Sequence, residues 1–271
     1  MTTQTISTPL NSTPPGSLRQ GINLLGAARV FVGRSLRQNL RDGEALVMAI
    51  ALPVMLMLLF TFVFGGAIDR DGGYLDYVVP GIILLCAGFG AANVAVSVNR
   101  DVTTGAMNRF RTLPITSTTV LVGHVIASLL RNLVATIVVI GVGIVIGFRP
   151  AAVPLDWLAA LGVVALYILA ITSIFAVLGL LAKSPESASG YGFVLLFLPY
   201  ASSAFVPIDT MPGWLRGFAE HQPSTPVIET LRVLLTGAGE SAWPAALAWC
   251  LGALVLATAV AAIVFPRRLS R

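Results

Sequence analysis

Charge is scarce in this sequence. Only 11% of its 271 residues are Asp, Glu, Lys or Arg, while 56% are hydrophobic. A soluble domain normally carries about 25% charged residues. The deficit points to a membrane protein, and no nucleic-acid partner is expected. Lysine is nearly missing, Lys183 being alone among seventeen basic residues. The two cysteines, Cys86 and Cys250, both lie in apolar runs and read as packing residues rather than a disulfide. Histidine is limited to His124 and His221, with no second ligand at metal spacing, so no metal site is expected. The triplet Asp69, Asp71 and Asp76, beside Gly72 and Gly73, reads as a solvated turn. The pattern G-x-x-x-x-G-K-[ST] is absent, which leaves nothing to cradle a nucleotide phosphate. No Asp or Glu lies inside an apolar run. Ion-coupled transporters keep a carboxylate at membrane depth, so ATP-independent secondary efflux is the weaker alternative and intrinsic catalysis weaker still.

Long apolar runs are what the sequence does contain. A spanning helix needs about 20 mostly apolar residues. Six segments qualify: Ala45–Gly65, Tyr77–Val98, Thr119–Phe148, Trp157–Ala182, Gly190–Ile208 and Trp243–Phe265. The third is about 45 Å long as a helix, so it must tilt or protrude. The expected fold is an all-α polytopic membrane protein, with the six-span domain over 45–266.

Basic residues orient such a chain, since cytoplasmic loops are rich in Arg and Lys. With both termini cytoplasmic, twelve basic residues fall inside, among them Arg100, Arg109, Arg111 and Lys183; Arg70, Arg149, Arg216 and Arg232 fall outside. Residues 1–21, rich in Ser, Thr and Pro, read as a disordered tail and not a cleavable signal; residues 267–271 form a second cytoplasmic tail. Between tail and first span, 22–44 shows a helical stripe of Leu25, Ala28, Val32, Leu36 and Leu40, flanked by Arg34, Arg37 and Arg41. That pattern fits a helix in the membrane interface, its arginines reaching lipid phosphates.

Residues 100–117, RDVTTGAMNRFRTLPITS, separate the second and third apolar runs. As a helix over 101–113, Val102, Ala106, Phe110 and Leu113 share an arc of about 80°. Asp101 suits a position near the N-terminus of such a helix, and Pro114 ends it. The string D-x-x-x-G-x-x-x-R-F-R-x-L-P-I, Asp101 to Ile115, resembles the first cytoplasmic loop of type-2 ABC exporter permeases, most nearly the daunorubicin-resistance-type subgroup. A second stretch, SSAFVPIDTMPGWLRGFAEHQPSTPVIETLR from Ser202 to Arg232, resembles the family's F-x-P, M-P-x-W-L and N-P-x-T-P pattern, with Gln222 in place of the usual Asn. Here Asp209 or Thr210 is expected to cap a short helix containing Trp214, and Thr225 a second that ends at Gly237 and Gly239. The resemblance implies that these are two outer, re-entrant helices over about 209–236.

The resemblance covers about residues 22–271 and implies an ATP-driven exporter permease in a bacterial cell membrane, moving a hydrophobic drug, a lipid or a glycolipid or polysaccharide. It implies a coupling helix carrying Asp101, Gly105, Arg109, Phe110, Arg111, Leu113 and Pro114, docked on an ABC ATP-binding subunit present in two copies. A second permease subunit, the same chain or a paralogue, completes the assembly; ATP and Mg belong to the ATPase, and this chain binds no cofactor. Spans one, two and five surround the permease interface in that family, which makes Asn93, Tyr191, Tyr200, Ser202 and Ser203 candidates for a substrate path, or else helix-packing contacts. Arg131, the one charge well inside a run, either snorkels to lipid phosphate or braces a permease dimer. Arg109→Glu is expected to uncouple transport while leaving membrane insertion intact; normal efflux by that variant, measured in whole cells, removes the docking role of Arg109.

Overall fold

The computed structural model describes residues 43–68, 73–104 and 117–269, and every regular element among them is helical. Helix α1 (Gly43–Leu59) continues through a π-helical stretch, Phe60–Phe64, into Gly65–Ile68. It is followed by α2 (Tyr74–Thr103), α3 (Ser117–Ile146), α4 (Pro154–Leu181) and α5 (Pro185–Leu196). Two short helices, α6 (Gly213–His221) and α7 (Ser224–Thr236), precede α8 (Trp243–Leu269). Five stretches are long and apolar enough to cross a membrane: Ala49–Ile68, Tyr74–Thr103, Leu121–Ile146, Pro154–Leu181 and Trp243–Phe265. Arg34, Arg37 and Arg41, and the segment holding Gly105, Arg109, Phe110, Arg111, Leu113 and Pro114, lie outside the described residues. So do Asp69 and Asp71; Asp76 accepts the backbone N–H of Arg149 at 3.2 Å.

Two expected boundaries are corrected. Gly190–Ile208 is not one continuous helix: α5 stops at Leu196, and a 3₁₀ turn, Leu198–Ala201, leads into a run of tight turns. Pro199 is the cause, since it offers no N–H to the Leu195 carbonyl and disfavours helical geometry at Leu198. The start of α5 is instead well marked. Ser184 Oγ accepts the Ser187 N–H at 3.3 Å, Ser187 Oγ accepts the Ser184 N–H at 3.0 Å, and Pro185 occupies the first turn. Asp101 likewise does not open a new helix. With no glycine or proline between Gly90 and Gly105, α2 runs on to Thr103 and places Asp101 in its last turn. The Thr103 and Thr104 hydroxyls close that turn by donating to the Asn99 and Arg100 carbonyls at 2.9 and 2.7 Å.

Helix α2 is the hub. Of its most apolar stretch, 72% is buried within the chain, against 22% for α1 and 17% for α8. Its sequence explains this position, because Gly81, Gly88, Ala91 and Ala95 keep one side thin enough for neighbours to approach closely, and Gly90 does so on the opposite side. A Cβ at Gly179 of α4 would lie 2.3 Å from the Ala95 carbonyl oxygen, and one at Gly81 would lie 2.7 Å from the Ala204 Cβ. The core continues through Ile82, Ile83, Leu84 and Leu85 of α2, Ile168 of α4 and Ile228, Leu231 and Leu235 of α7. In α1, Pro53 leaves the Ala49 carbonyl without its helical N–H, and the Cys86 thiol of α2 points to that oxygen at 3.8 Å. Gly179→Ala is expected to destabilise the protein by about 1–3 kcal/mol, because backbone rather than a side-chain tip must move. Gly162→Ala, with open space around it, serves as the control; thermal unfolding in detergent compares them.

Candidate functional site

The turn segment after α5 is irregular backbone packed against a hydrophobic helix, so its carbonyls need donors. The N-terminal part of α2 supplies them. The Tyr74 hydroxyl donates to the Phe205 carbonyl at 2.9 Å and the Tyr77 hydroxyl to the Ser203 carbonyl at 2.8 Å. Arg232 of α7 adds a second donor to the Ser203 carbonyl at 2.7 Å and another bond to the Tyr77 carbonyl at 3.3 Å. Its guanidinium carbon lies 3.8 Å over the Tyr77 ring, a cation–π arrangement. Within the segment, Ser202 Oγ donates to the Pro199 carbonyl and accepts the Ala204 N–H. Burial draws Arg232 below its ordinary pKa, with Tyr77 and Glu229 opposing. The same burial lifts Glu229 above the usual carboxylate range, against Arg232 and the Ser203 hydroxyl.

The short helices differ from expectation in their caps. Asp209 and Thr210 belong to a 3₁₀ turn, Ile208–Thr210, and α6 begins after Pro212 with no side-chain cap. Thr225 does not cap α7 either: its hydroxyl donates to the Ala219 carbonyl of α6 at 2.6 Å. Gln222 fills the role, its Oε1 accepting the Ser224 N–H at 3.3 Å while its amide donates to Thr225 Oγ1 at 3.3 Å. Gly237 ends α7 in the left-handed conformation, φ 71°, with its N–H on the Val233 carbonyl, as expected.

A polar seam joins α2, α3 and α4. Arg131 does not snorkel: it is 9% exposed, and its Nη2 donates to the Gly90 carbonyl of α2 at 2.7 Å. Gly90 makes this reachable, for a side chain there would occupy the space filled by Asn132, whose Oδ1 lies 1.5 Å from the position of a Cβ. Asn132 Nδ2 donates to Ser128 Oγ at 3.1 Å, and Ser128 lies 3.4 Å from the Thr172 hydroxyl of α4. At the opposite end of α2 from Tyr74, Asn99 is fully buried and donates to the Gly179 and Ala182 carbonyls at 3.1 and 2.8 Å.

The path candidates fall into two groups. Ser202 and Ser203 are buried and hold the turn segment, whereas Tyr191 is exposed and Asn93 is half-buried, donating to the Phe89 carbonyl at 3.4 Å. Tyr200 belongs to a chain of rings that begins on the exposed face of α5. Phe193 meets Phe197 edge-on with centroids 5.0 Å apart, and Phe197 lies 5.9 Å from Tyr200. Tyr200 stacks on Phe205 at 5.2 Å, Phe205 on Phe60 at 4.1 Å, and Phe60 lies 5.5 Å from Phe64. Six rings thus run from α5 to the π-helical stretch of α1, beside exposed Phe62 and Val63.

Residues 27–236 match the model of the family described as ABC-2 type transporter. The chain belongs to that family. It is 31% identical over 214 residues to the "Daunorubicin resistance ABC transporter permease protein DrrB1" of Streptomyces coeruleorubidus, which covers 78% of this chain and 75% of that one. It is 29% identical over 221 residues to the "Probable doxorubicin resistance ABC transporter permease protein DrrC" of Mycobacterium tuberculosis, covering 78% and 80% respectively. The protein is a multi-pass membrane permease subunit of an ABC transporter.

Sequence reasoning about this permease missed Tyr74, Tyr77 and Asn99, and the Asp101 to His124 contact, whose Oδ2 and Nε2 lie 2.9 Å apart. Each is a polar residue close to the end of an apolar run, where polarity alone suggests solvent. Arg232→Lys is expected to cost about 1–3 kcal/mol, since an ammonium cannot reproduce the planar fork and stacking. Tyr77→Phe removes the other donor to the Ser203 carbonyl, so the double variant, which leaves that carbonyl bare, is expected to lose more than the sum, read from thermal unfolding of all four proteins.

Proposed function

We propose that this permease is the membrane half of an ATP-driven exporter that moves a hydrophobic drug or lipid-like molecule out of a bacterial cell. Two permease subunits and two copies of an ABC ATP-binding subunit form the working unit. ATP and Mg are bound by the ATPases. The observation that carries the hydrophobic cargo is the chain of six rings from Phe193 to Phe64, which presents exposed aromatic faces at both ends. The names of the two relatives, one tied to daunorubicin resistance and the other to doxorubicin resistance, support the same class.

Six crossings with both termini cytoplasmic suit this role. α5 is too short to cross alone, yet the chain near it touches both ends of α2. The Ala182 carbonyl meets Asn99, and the Ser203 carbonyl meets Tyr77. Those two positions are 22 residues apart, about 33 Å along a helix, close to the ~30 Å thickness of the hydrocarbon core. α6 and α7 then lie at the outer leaflet. Trp214 is 81% exposed, as befits an indole at interface depth. On the cytoplasmic side the segment holding Gly105, Arg109, Phe110, Arg111, Leu113 and Pro114 docks on the ATPase. Closure of the ATPase pair moves it, and the permease interface shifts from inward- to outward-facing because the two ATPase states contact it differently. Asn93, Tyr191 and Tyr200 line the route, and the interfacial arginines Arg34, Arg37 and Arg41 hold the N-terminal helix on lipid.

Gentle purification from native membranes, with mass spectrometry of what stays bound, tests the assembly. A stoichiometric subunit bearing nucleotide-binding motifs is expected; repeated recovery of the chain alone overturns the ATP-driven reading. For the cargo, Phe197→Ala and Tyr200→Ala are each expected to lower ATP-dependent doxorubicin efflux several-fold, about 1 kcal/mol of lost ring contact apiece, read from drug fluorescence in cells.

A further inference from the structure

Asp101 and His124 stand on the two stems that flank the segment 105–116, and they meet across the gap between helices. Asp101 lies in the last turn of α2 and His124 two turns into α3. Their Oδ2 and Nε2 atoms are 2.9 Å apart, and the side chains are only 16% and 10% exposed. We propose that this contact is a positioning pair for the exporter cycle: it makes the stem of α3 follow the stem of α2 when the segment between them is displaced. The inference rests on the exporter reading above and adds residues to it.

The geometry of α2 supports this division of labour. Positions 99 and 101 are about 200° apart around a helix, so the two side chains reach opposite neighbours. Asn99 ties α2 to the end of α4 through two backbone carbonyls, in a fully buried setting. Just beyond, the Gly179 backbone lies against the Ala95 carbonyl, with no room for a Cβ. That tie is neutral, enclosed and fixed. The tie to α3 differs in kind: it joins two titratable side chains at the edge of the apolar region. The Thr103 and Thr104 hydroxyls hold the last turn of α2 closed, so Asp101 is presented from a hydrogen-bonded helical turn. Movement entering through the segment 105–116 therefore reaches α4 through Asn99, and reaches α3 at this level through Asp101 and His124.

Site-directed labelling of the full permease–ATPase complex in proteoliposomes tests the pair. Val122, exposed on α3 two residues before His124, is replaced by cysteine; the native Cys86 and Cys250 are buried. The probe is a membrane-permeant maleimide, added with and without vanadate-trapped nucleotide. In the otherwise unaltered complex, trapping is expected to change the labelling rate. Asp101→Ala and His124→Ala are each expected to reduce the labelling change per ATP hydrolysed by about tenfold, within the usual range of coupling between sites. The double alanine variant should be no worse than either single one. The exchanged pair, Asp101→His with His124→Asp, should recover most of the response. Independent, multiplying losses overturn the inference, as do singles that respond like the parent or a parent whose labelling ignores nucleotide. Failure of the exchanged pair to recover, in a complex that still assembles, also overturns it. Absence of ATP hydrolysis from every preparation overturns instead the exporter reading on which it stands.

Discussion

A polar group inside a hydrocarbon layer has no water to turn to, so its partner must come from the protein. Most features of this permease follow from meeting that demand along one helix. α2 donates through Tyr74 and Tyr77 to the turn segment after α5, and through Asn99 to the end of α4, and it accepts Arg131 at the Gly90 carbonyl. These bonds need the partner backbone close by, and the glycines and alanines that thin α2 and α4 at the contacts allow that closeness. Small residues and buried polar bonds are therefore one device. The first brings the backbones together, and the second makes separation costly.

The same device divides the molecule into firm and adaptable parts. At the end near α7, the Ser203 carbonyl receives two donors, and Arg232 stacks on the ring of one of its own partners. Such shared contacts give a well-defined arrangement, in which α7, the turn segment and the start of α2 form a unit. The outer surfaces of α1, α5 and α8 are different. They present large apolar and aromatic side chains, among them Phe62, Phe193, Phe197 and Val255, with little inside the chain to hold them. In a membrane such surfaces meet lipid or other apolar surfaces by close packing, because burial there carries no hydrophobic driving force. A transporter needs this asymmetry, with a core that keeps its shape and faces whose partners can change.

Arg131 shows why a single residue misleads when its neighbours are unknown. A lone arginine in a long apolar helix suggests a side chain reaching for phosphate, since that route is open to any helix of sufficient length. The alternative used here requires a bare carbonyl on another helix at the same depth. Gly90 provides it, with Asn132 seated where a side chain would have been. Nothing in the spacing of either run signals that the two positions meet.

The sequence by itself determined the class of the molecule, because hydropathy and the absence of charge act residue by residue and need no partner. Five long helices, the short helices before α8 and the glycine that stops α7 were legible from local sequence, and the resemblance of two motif stretches pointed to the ABC-2 family. The end of α5 was partly legible, since Pro199 acts on its own backbone, but where the chain goes after it depends on Tyr74, Tyr77 and Arg232, which lie far away in sequence. Tertiary structure alone decided that Asp101 meets His124, that Ser202 and Ser203 brace a turn, that Arg131 is held by Gly90, and that six rings on three segments line up. Those outcomes rest on which backbones approach within a few ångströms, and that is set by the packing of whole helices against one another rather than by the preference of any one residue.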